Sequence, residues 1–484
     1  MFLPFLLSLA SARAERDKPP TLNGHSVLLS YTQPEQIHLS WTGNPHSMYV
    51  TWLTLDPTPA GWVEYGRFGR LSERAAALSS NYTDGGSLQR SFWVHRALLT
   101  NLVPEARYVY HVGSSGGWSA LFSFRALPSS RNFQPSLVVV GDFGLQNAET
   151  LAQLQQESQG GRYHMLLHVG DLAYDLHRLN ATVGDQWMRQ VEPIAAYIPY
   201  MTVPGNHEWA YNFIHYRQRF TMPNWRTAHN HYYSFDLGPI HLLAFSSEFY
   251  FFPQFYQTSD DIRRQYEWME EDLKKANANR KRVPWIVTWG HRPMYCSNRN
   301  NFDCTRYESR VRTGLKGRYA LEPLFNRYGV DLAIGAHEHS YERLFPTFDR
   351  KVYNTTAHPY LDPPAPVHII TGASGDVEGQ CPFGDPGPWS AFRSLDYGFG
   401  RLFAANASHL RWQQTSVKQG GGVLDEIWLV KHRHGPHTAP PAEGVFVPLD
   451  HKTDYLLRYE ELEATGQLDL WVNKPPCHMP PDQL

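Results

Sequence analysis

The chain has 484 residues, 42% of them hydrophobic, 14% aromatic and 19% charged, a globular balance that excludes a disordered, collagen-like or coiled-coil chain and suits two or three domains. Lys plus Arg number 44 against 46 Asp plus Glu, so no global positive field exists to recruit nucleic acid or anionic lipid. The 24 histidines make the charge sensitive to acidity and supply candidate ligands.

In chain order, Phe2 to Ala12 is an apolar run ending in the small-x-small pattern Ala12-Arg13-Ala14, read as a signal peptide over residues 1–14. It falls short of the roughly 20 residues a membrane helix needs, and so does every later stretch. Asn81, Asn180, Asn354 and Asn406 stand in glycan-acceptor sequons, so the chain is expected to enter the secretory pathway and to be secreted or lysosomal.

Residues 19–127 alternate short aromatic and β-branched runs with turns: SVLLSYT, QIHLSWT, MYVTWLTL, WVEYGR, SFWVHRALLT, RYVYHVG and LFSFRAL. Seven strands predict an all-β sandwich, with Ile37, Leu39 and Trp41 facing a core and His38 and Ser40 facing solvent. Leu102, Pro104 and Tyr108 resemble the tyrosine corner of fibronectin type III domains, and the segment is similar to one such module. The Pro-bounded stretch 128–135 marks its end.

From 136 to 434 buried apolar strands alternate with helical periods, as in LVVV at 137–140 followed by AETLAQLQQE, which predicts an α/β domain. Further helices are expected over Asp260–Ala278, capped by Ser259 or Asp260, and over Tyr319–Tyr328, stopped by Gly329. Residues 435–484 form a tail of no assigned role, with one helical period, DYLLRYEELEA. Four cysteines are too few for a disulfide scaffold, and a Cys296–Cys304 pair is preferred.

Five polar motifs follow apolar runs: Gly141-Asp142, Gly170-Asp171-Leu172-Ala173-Tyr174, Gly205-Asn206-His207-Glu208, Gly290-His291 and Gly335-Ala336-His337-Glu338-His339. Loops beyond the carboxyl ends of strands converge on one edge of an open α/β sheet, where ligands bind. Their oxygen and imidazole donors, without thiolate, suit iron, manganese or zinc, and their number exceeds the needs of one ion. Asp171 is expected to bridge two cations of the kind that clamp the attacking and leaving oxygens of phosphoryl transfer.

With those motifs the chain resembles the purple acid phosphatases of the larger two-domain type found in plants and animals, over most of residues 19–434. The resemblance implies a calcineurin-like metallophosphatase sandwich behind the β module. It implies one ferric ion held by Asp142, Asp171, Tyr174 and His339, and a second divalent ion, zinc, iron or manganese, held by Asp171, Asn206, His291 and His337. It also implies hydrolysis of small phosphate monoesters by a metal-bound hydroxide, with Asn206 and His207 against the substrate and His207 as proton donor; it allows a homodimer. The departures are Ala336 where the family usually has glycine, and no histidine in the stretch Arg292 to Asn301, where plant relatives carry them, with Asn300, Asn301 and Asp303 left as rim candidates. A phosphodiesterase or pyrophosphatase at the same site, or a binding protein with a structural metal site, are the competing readings.

Overall fold

The structure, a computed structural model, describes residues 21–22, 25–26, 31–252, 260–299, 304, 309–315, 317–437 and 444–447. The leader, most of SVLLSYT, the cap residue Ser259, Asn300, Asn301, Asp303, Cys477 and the DYLLRYEELEA period lie outside the described residues. Among those described, no helix is long and apolar enough to cross a membrane.

Strands Glu35–Trp41, Met48–Thr54, Trp62–Arg67, Ser91–Leu99, Arg107–Ser114 and Phe122–Arg125 form where the aromatic runs place them. One strand, Glu73–Thr83, was not anticipated. It begins paired with Trp62–Arg67 and continues paired with Ser91–Leu99, so it passes between the two leaves of the sandwich. Its Ala75-Ala76-Ala77 centre and largely exposed side chains carry little β propensity, and pairing on both sides decides its conformation. The tyrosine corner is present: the Tyr108 hydroxyl oxygen accepts the Val103 N–H at 2.8 Å.

The expected solvent face of Glu35–Trp41 is buried as well, with His38 2% and Ser40 0% exposed. The β-module lays this face on the second domain, where His38 meets the Phe220 ring at 5.5 Å and Ser40 Oγ donates to the Thr221 carbonyl at 2.6 Å. Period-2 patterning reads polar residues as solvated, but a hydrogen-bonded domain interface uses the same residue types. Arg219 extends the contact, donating to Gln36 Oε1 at 2.7 Å and to Asp185 Oδ1 at 2.9 Å.

Burial in this interface and in the neighbouring cores pushes the imidazoles of His38, His95, His215 and His368 down to about 4. Their folded values lie below the unfolded value near 6.5, so the unfolded chain binds more protons and stability falls as pH drops from about 6.5 toward 4. The expected loss is about 2 kcal/mol per imidazole at pH 5. Urea midpoints measured from pH 7 to pH 5 should fall, and less steeply in His38→Gln; a midpoint that stays level would contradict this.

Among the described residues the second domain holds two large sheets and a small three-stranded one made of Thr347–Phe348, Lys351–Val352 and Val445–Phe446. The six-stranded sheet runs Tyr200–Val203, Met165–Val169, Ser136–Val140, Gly400–Ala404, His409–Ser416, Gly422–Val430, its first three strands parallel. The seven-stranded sheet runs Tyr233–Leu237, Ile240–Ala244, Trp285–Trp289, Leu332–Gly335, Val367–Thr371, Tyr341–Leu344, Ser390–Ser394, parallel from Ile240 to Val367. The parallel strands are apolar on both faces and both sheets share one core, as strands covered on two sides must. Helices Leu151–Gln159, Asp260–Ala278 and Leu321–Tyr328 occupy the expected periods, the last ending at Gly329 in left-handed conformation. Cys296 and Cys304 are joined in a disulfide.

Candidate metal centre

Asp142, Asp171 and Asn206 follow Ser136–Val140, Met165–Val169 and Tyr200–Val203 of the six-stranded sheet. His291, His337 and His339 follow Trp285–Trp289 and Leu332–Gly335 of the seven-stranded sheet. The loops therefore meet on the seam between two sheets, and the single open-sheet edge expected from the motifs is corrected. Nothing local in a βα repeat tells which sheet a strand joins; that is decided by long-range pairing.

Seven side chains come together in two adjoining groups. Tyr174 Oη lies 3.0 Å from Asp142 Oδ1 and 2.9 Å from His339 Nε2. His291 Nε2 lies 3.1 Å from Asp171 Oδ2, 3.1 Å from Asn206 Oδ1 and 3.2 Å from His337 Nδ1. The ligand atoms of Asp171, His291 and His337 all fall within 4.8 Å of one another. The His337 N–H, donating to Asp142 Oδ2 at 2.9 Å, joins the groups. Every member is buried, and carboxylates and imidazoles this deep need a counter-charge or a cation.

The backbone is held against its preference at this seam. Asp142, Asp171, Tyr174 and His337 sit at φ 54, 50, 50 and 70, a region costing an L-residue roughly 1–2 kcal/mol and retained where function over-determines it. The glycine before Asp171 is required twice: Gly170 has φ +84, and a Cβ on it would approach His291 Nδ1 to 2.6 Å. Ala336 is accommodated. It is fully buried against Gly141, where a Cβ would come 2.5 Å from that of Ala336, so the alanine uses space that Gly141 leaves.

The carboxylates favour positive charge on two of the imidazoles, while burial, with Arg292 beside it, keeps His337 neutral. Burial lowers the His291 pKa, but Asp171 beside it raises it to about 9; burial likewise opposes protonation of His339, and Asp376 with Asp142 carries it well above the ordinary value. Clustered oxygen donors that stabilise imidazolium stabilise a metal cation by the same attraction, and donor types and spacing fit two ions. The second nitrogens are oriented: His291 Nδ1 lies 2.9 Å from the Val169 carbonyl and His339 Nδ1 2.8 Å from that of Gly379, leaving Nε2 of each for the site. Arg292 Nη1 lies 3.0 Å from His337 Nε2 and Arg292 Nε pairs with Glu248 Oε2 at 3.1 Å; a cation on His337 Nδ1 would call for the tautomer with the proton on Nε2.

His207 stands next to Asn206 with its ring 4.3 Å from that of Tyr174. Its Nδ1 lies 2.6 Å from Asp175 Oδ1, and its Nε2 is 3.6 Å from Glu378 Oε1. Burial disfavours its charge, but Asp171, Asp175 and Glu378 together hold its pKa well above the usual range. Glu208 is buried and accepts the backbone N–H groups of Asp171, Leu172 and Gly205 at 3.0, 2.9 and 2.8 Å, fixing the turn that presents Asp171. Asp175, Asp376 and Glu378 were not singled out from the sequence. A signal existed for the last two, because Val367–Thr371 is another apolar strand running into a Gly-rich polar loop, Gly372 to Gly379.

Comparison with known proteins gives three matching regions: the purple acid phosphatase N-terminal domain over residues 34–126, the calcineurin-like phosphoesterase over 135–341, and the iron/zinc purple acid phosphatase-like C-terminal region over 365–426. The chain is 49% identical to acid phosphatase type 7 of Danio rerio, over 84% of this chain and 93% of that one. It is 48% identical to the Homo sapiens protein of the same name, over 83% and 92%, and 32% identical to purple acid phosphatase 22 of Arabidopsis thaliana, over 83% and 86%. In fold it is similar to a purple acid phosphatase from yellow lupin seeds, with a TM-score of 0.69 at 23% identity, covering 85% of this chain and 78% of that one. The chain belongs to the purple acid phosphatase family.

Proposed function

We propose that the protein is a binuclear metal-dependent acid phosphatase that hydrolyses phosphate monoesters. The observation that carries this reading is the pair of adjoining donor groups, Asp142–Tyr174–His339 and Asp171–Asn206–His291–His337, with His207 directly beside them. By the family resemblance Asp142, Asp171, Tyr174 and His339 hold a ferric ion, and Asp171, Asn206, His291 and His337 hold a divalent zinc, iron or manganese. Bound there, two cations supply charge for the phosphoryl oxygens and ease the ionisation of water.

The chain's own residues do the rest. Asn206 contributes a neutral oxygen, so it adds no negative charge to the cation it faces. Asp175 fixes His207 through Nδ1, which turns Nε2 toward Asp171 and Glu378, on the side of the donor groups, as a proton donor for the leaving oxygen. Glu208, through its three backbone contacts, keeps Asp171 in place. Turnover of p-nitrophenyl phosphate and of bis-p-nitrophenyl phosphate by the purified protein tests the assignment; cleavage of the monoester supports it, and exclusive cleavage of the diester rejects it in favour of a phosphodiesterase.

The ferric assignment makes a separate prediction. A phenolate on ferric iron absorbs visible light in this family, so Tyr174→Phe should lose its visible band while its far-ultraviolet circular dichroism stays that of the parent. An unchanged band would remove Tyr174 from the iron.

We also assign the protein to the secretory pathway, on the leader, the four sequons and the Cys296–Cys304 disulfide. Asn81 and Asn406 are exposed, whereas Asn180 and Asn354 are half-buried. Glycopeptide mass spectrometry of protein from a secreting cell should find glycans on Asn81 and Asn406 first; a chain that is unglycosylated and retains residues 1–14 contradicts the assignment.

A further inference from the structure

The metal-centre loops follow the carboxyl ends of the parallel strands Met165–Val169 and Tyr200–Val203. At the amino ends of the same strands a cavity of about 580 Å³ opens, lined there by His164 and Pro199, the residues directly before Met165 and Tyr200. A strand of this length spans roughly 17 Å, so the cavity is separate from the metal centre. Its opposite wall belongs to the β-module, through Arg107 and Arg125, and the segment connecting the two domains adds Phe133. Its volume falls within the roughly 300–1,000 Å³ of small-molecule sites.

The charges in it are arranged against their own repulsion. Arg107 and Arg125 stand directly opposite each other on the antiparallel strands Arg107–Ser114 and Phe122–Arg125, a position that holds Cβ atoms about 5 Å apart and penalises like charges. Arg125 is partly compensated: its Nε donates to the Glu105 carbonyl at 2.9 Å, and its Nη2 lies 4.0 Å from Glu105 Oε2. Arg107 donates to the Ser123 hydroxyl at 3.2 Å and pairs with no carboxylate among the described residues. On the facing wall His164 Nδ1 accepts the Ser136 N–H at 3.0 Å, and burial keeps its imidazole below the ordinary value. Its proton therefore sits on Nε2, for which the described residues supply no acceptor. The helix Leu151–Gln159 also ends here, but the N–H groups of Gly160, Gly161 and Arg162 take the carbonyls of Gln156, Ser158 and Glu157 at 2.9, 3.1 and 3.1 Å, which caps its negative end.

The remaining wall is flat and apolar. Phe133 and Tyr197 are half-buried and line the cavity. The Phe133 ring is fixed from behind: it meets the His164 ring at 5.1 Å, and a Cβ on Gly238 would lie 3.2 Å from its Cδ1. The metal centre uses none of these groups.

We propose that this interdomain cavity binds a small aromatic carboxylate, its two oxygens taken by the guanidinium groups of Arg107 and Arg125 and its ring laid against Phe133 and Tyr197. Guanidinium forks match the two oxygens of a carboxylate, and such charge-assisted bonds relieve the repulsion between the arginines. A planar ring gains contact area on aromatic walls that an aliphatic acid of the same charge does not cover.

The test is calorimetric titration of the metal-loaded protein with 1-naphthoate and with its neutral analogue 1-naphthamide. Naphthoate should bind saturably, and the amide about ten-fold more weakly or less. Arg107→Gln and Arg125→Gln should each weaken naphthoate about ten-fold, while kcat and KM for p-nitrophenyl phosphate stay parental. A parent protein that does not bind naphthoate overturns the proposal, and so does affinity unchanged in both arginine variants. In the parent, saturating naphthoate should leave KM for p-nitrophenyl phosphate unchanged; a competitive rise in KM over the range that saturates binding would place the ligand on the cations and overturn the site without any variant. The titration needs no turnover, so a failure of the phosphatase reading and a failure of this site are told apart.

Discussion

Asp171→Asn is expected to lower kcat/KM for a phosphate monoester by about 10³-fold, the scale for removing a principal electrostatic element from a desolvated site. The substitution keeps the size of the side chain and removes its charge. Asp171 Oδ1 accepts the His207 N–H at 2.9 Å and Oδ2 lies 3.1 Å from His291 Nε2, so its carboxylate would be one of the groups holding the cations. Both ions should bind more weakly, so metal content measured on the same preparation should fall together with activity. Wild-type turnover at full metal content would remove Asp171 from the assigned position. Because the asparagine can still accept the His207 N–H through its carboxamide oxygen, loss of fold is not the expected cause of the effect.

His207→Ala is expected to lower kcat by about 10² to 10⁴-fold, the usual contribution of a positioned proton donor, while both cations remain. His207 donates its backbone N–H to Asp171, and its ring Nε2 lies 4.0 Å from Asp171 Oδ2; truncation at Cβ removes the longer contact and keeps the hydrogen bond that positions Asp171. The structure orients the ring from two directions: Asp175 binds Nδ1 at 2.6 Å, and Tyr174 packs on the face with centroids 4.3 Å apart. A leaving group that needs no protonation should lose less, so a series of aryl phosphates of falling leaving-group pKa should show the defect shrinking. A defect independent of the leaving group would assign His207 to phosphate binding instead of proton donation.

The five ligand loops were legible because each follows a run of apolar residues and opens with glycine or a short polar group, a local pattern that survives without knowledge of the tertiary structure. Assignment of Tyr174 and Asn206 depended on resemblance, since neither residue type marks a metal ligand by itself. What remained hidden was long-range. The division of the loops between two sheets is decided by pairing across more than a hundred residues, as between Ser136–Val140 and Gly400–Ala404. The burial of His38 and Ser40 is decided by a domain interface that alternation cannot distinguish from water. Asp175 was hidden because a carboxylate beside a tyrosine reads as an ordinary turn residue, and only the fold brings His207 to it. Glu73–Thr83 was hidden because an alanine-centred strand has no apolar stripe to advertise.

The central claim is that side chains from two sheets meet at one seam to hold two cations. Elemental mass spectrometry of the purified, dialysed protein tests it most directly: about two metal ions per chain are expected, at least one of them iron. Fewer than about one ion per chain, with no phosphatase activity after iron is added back, would contradict it.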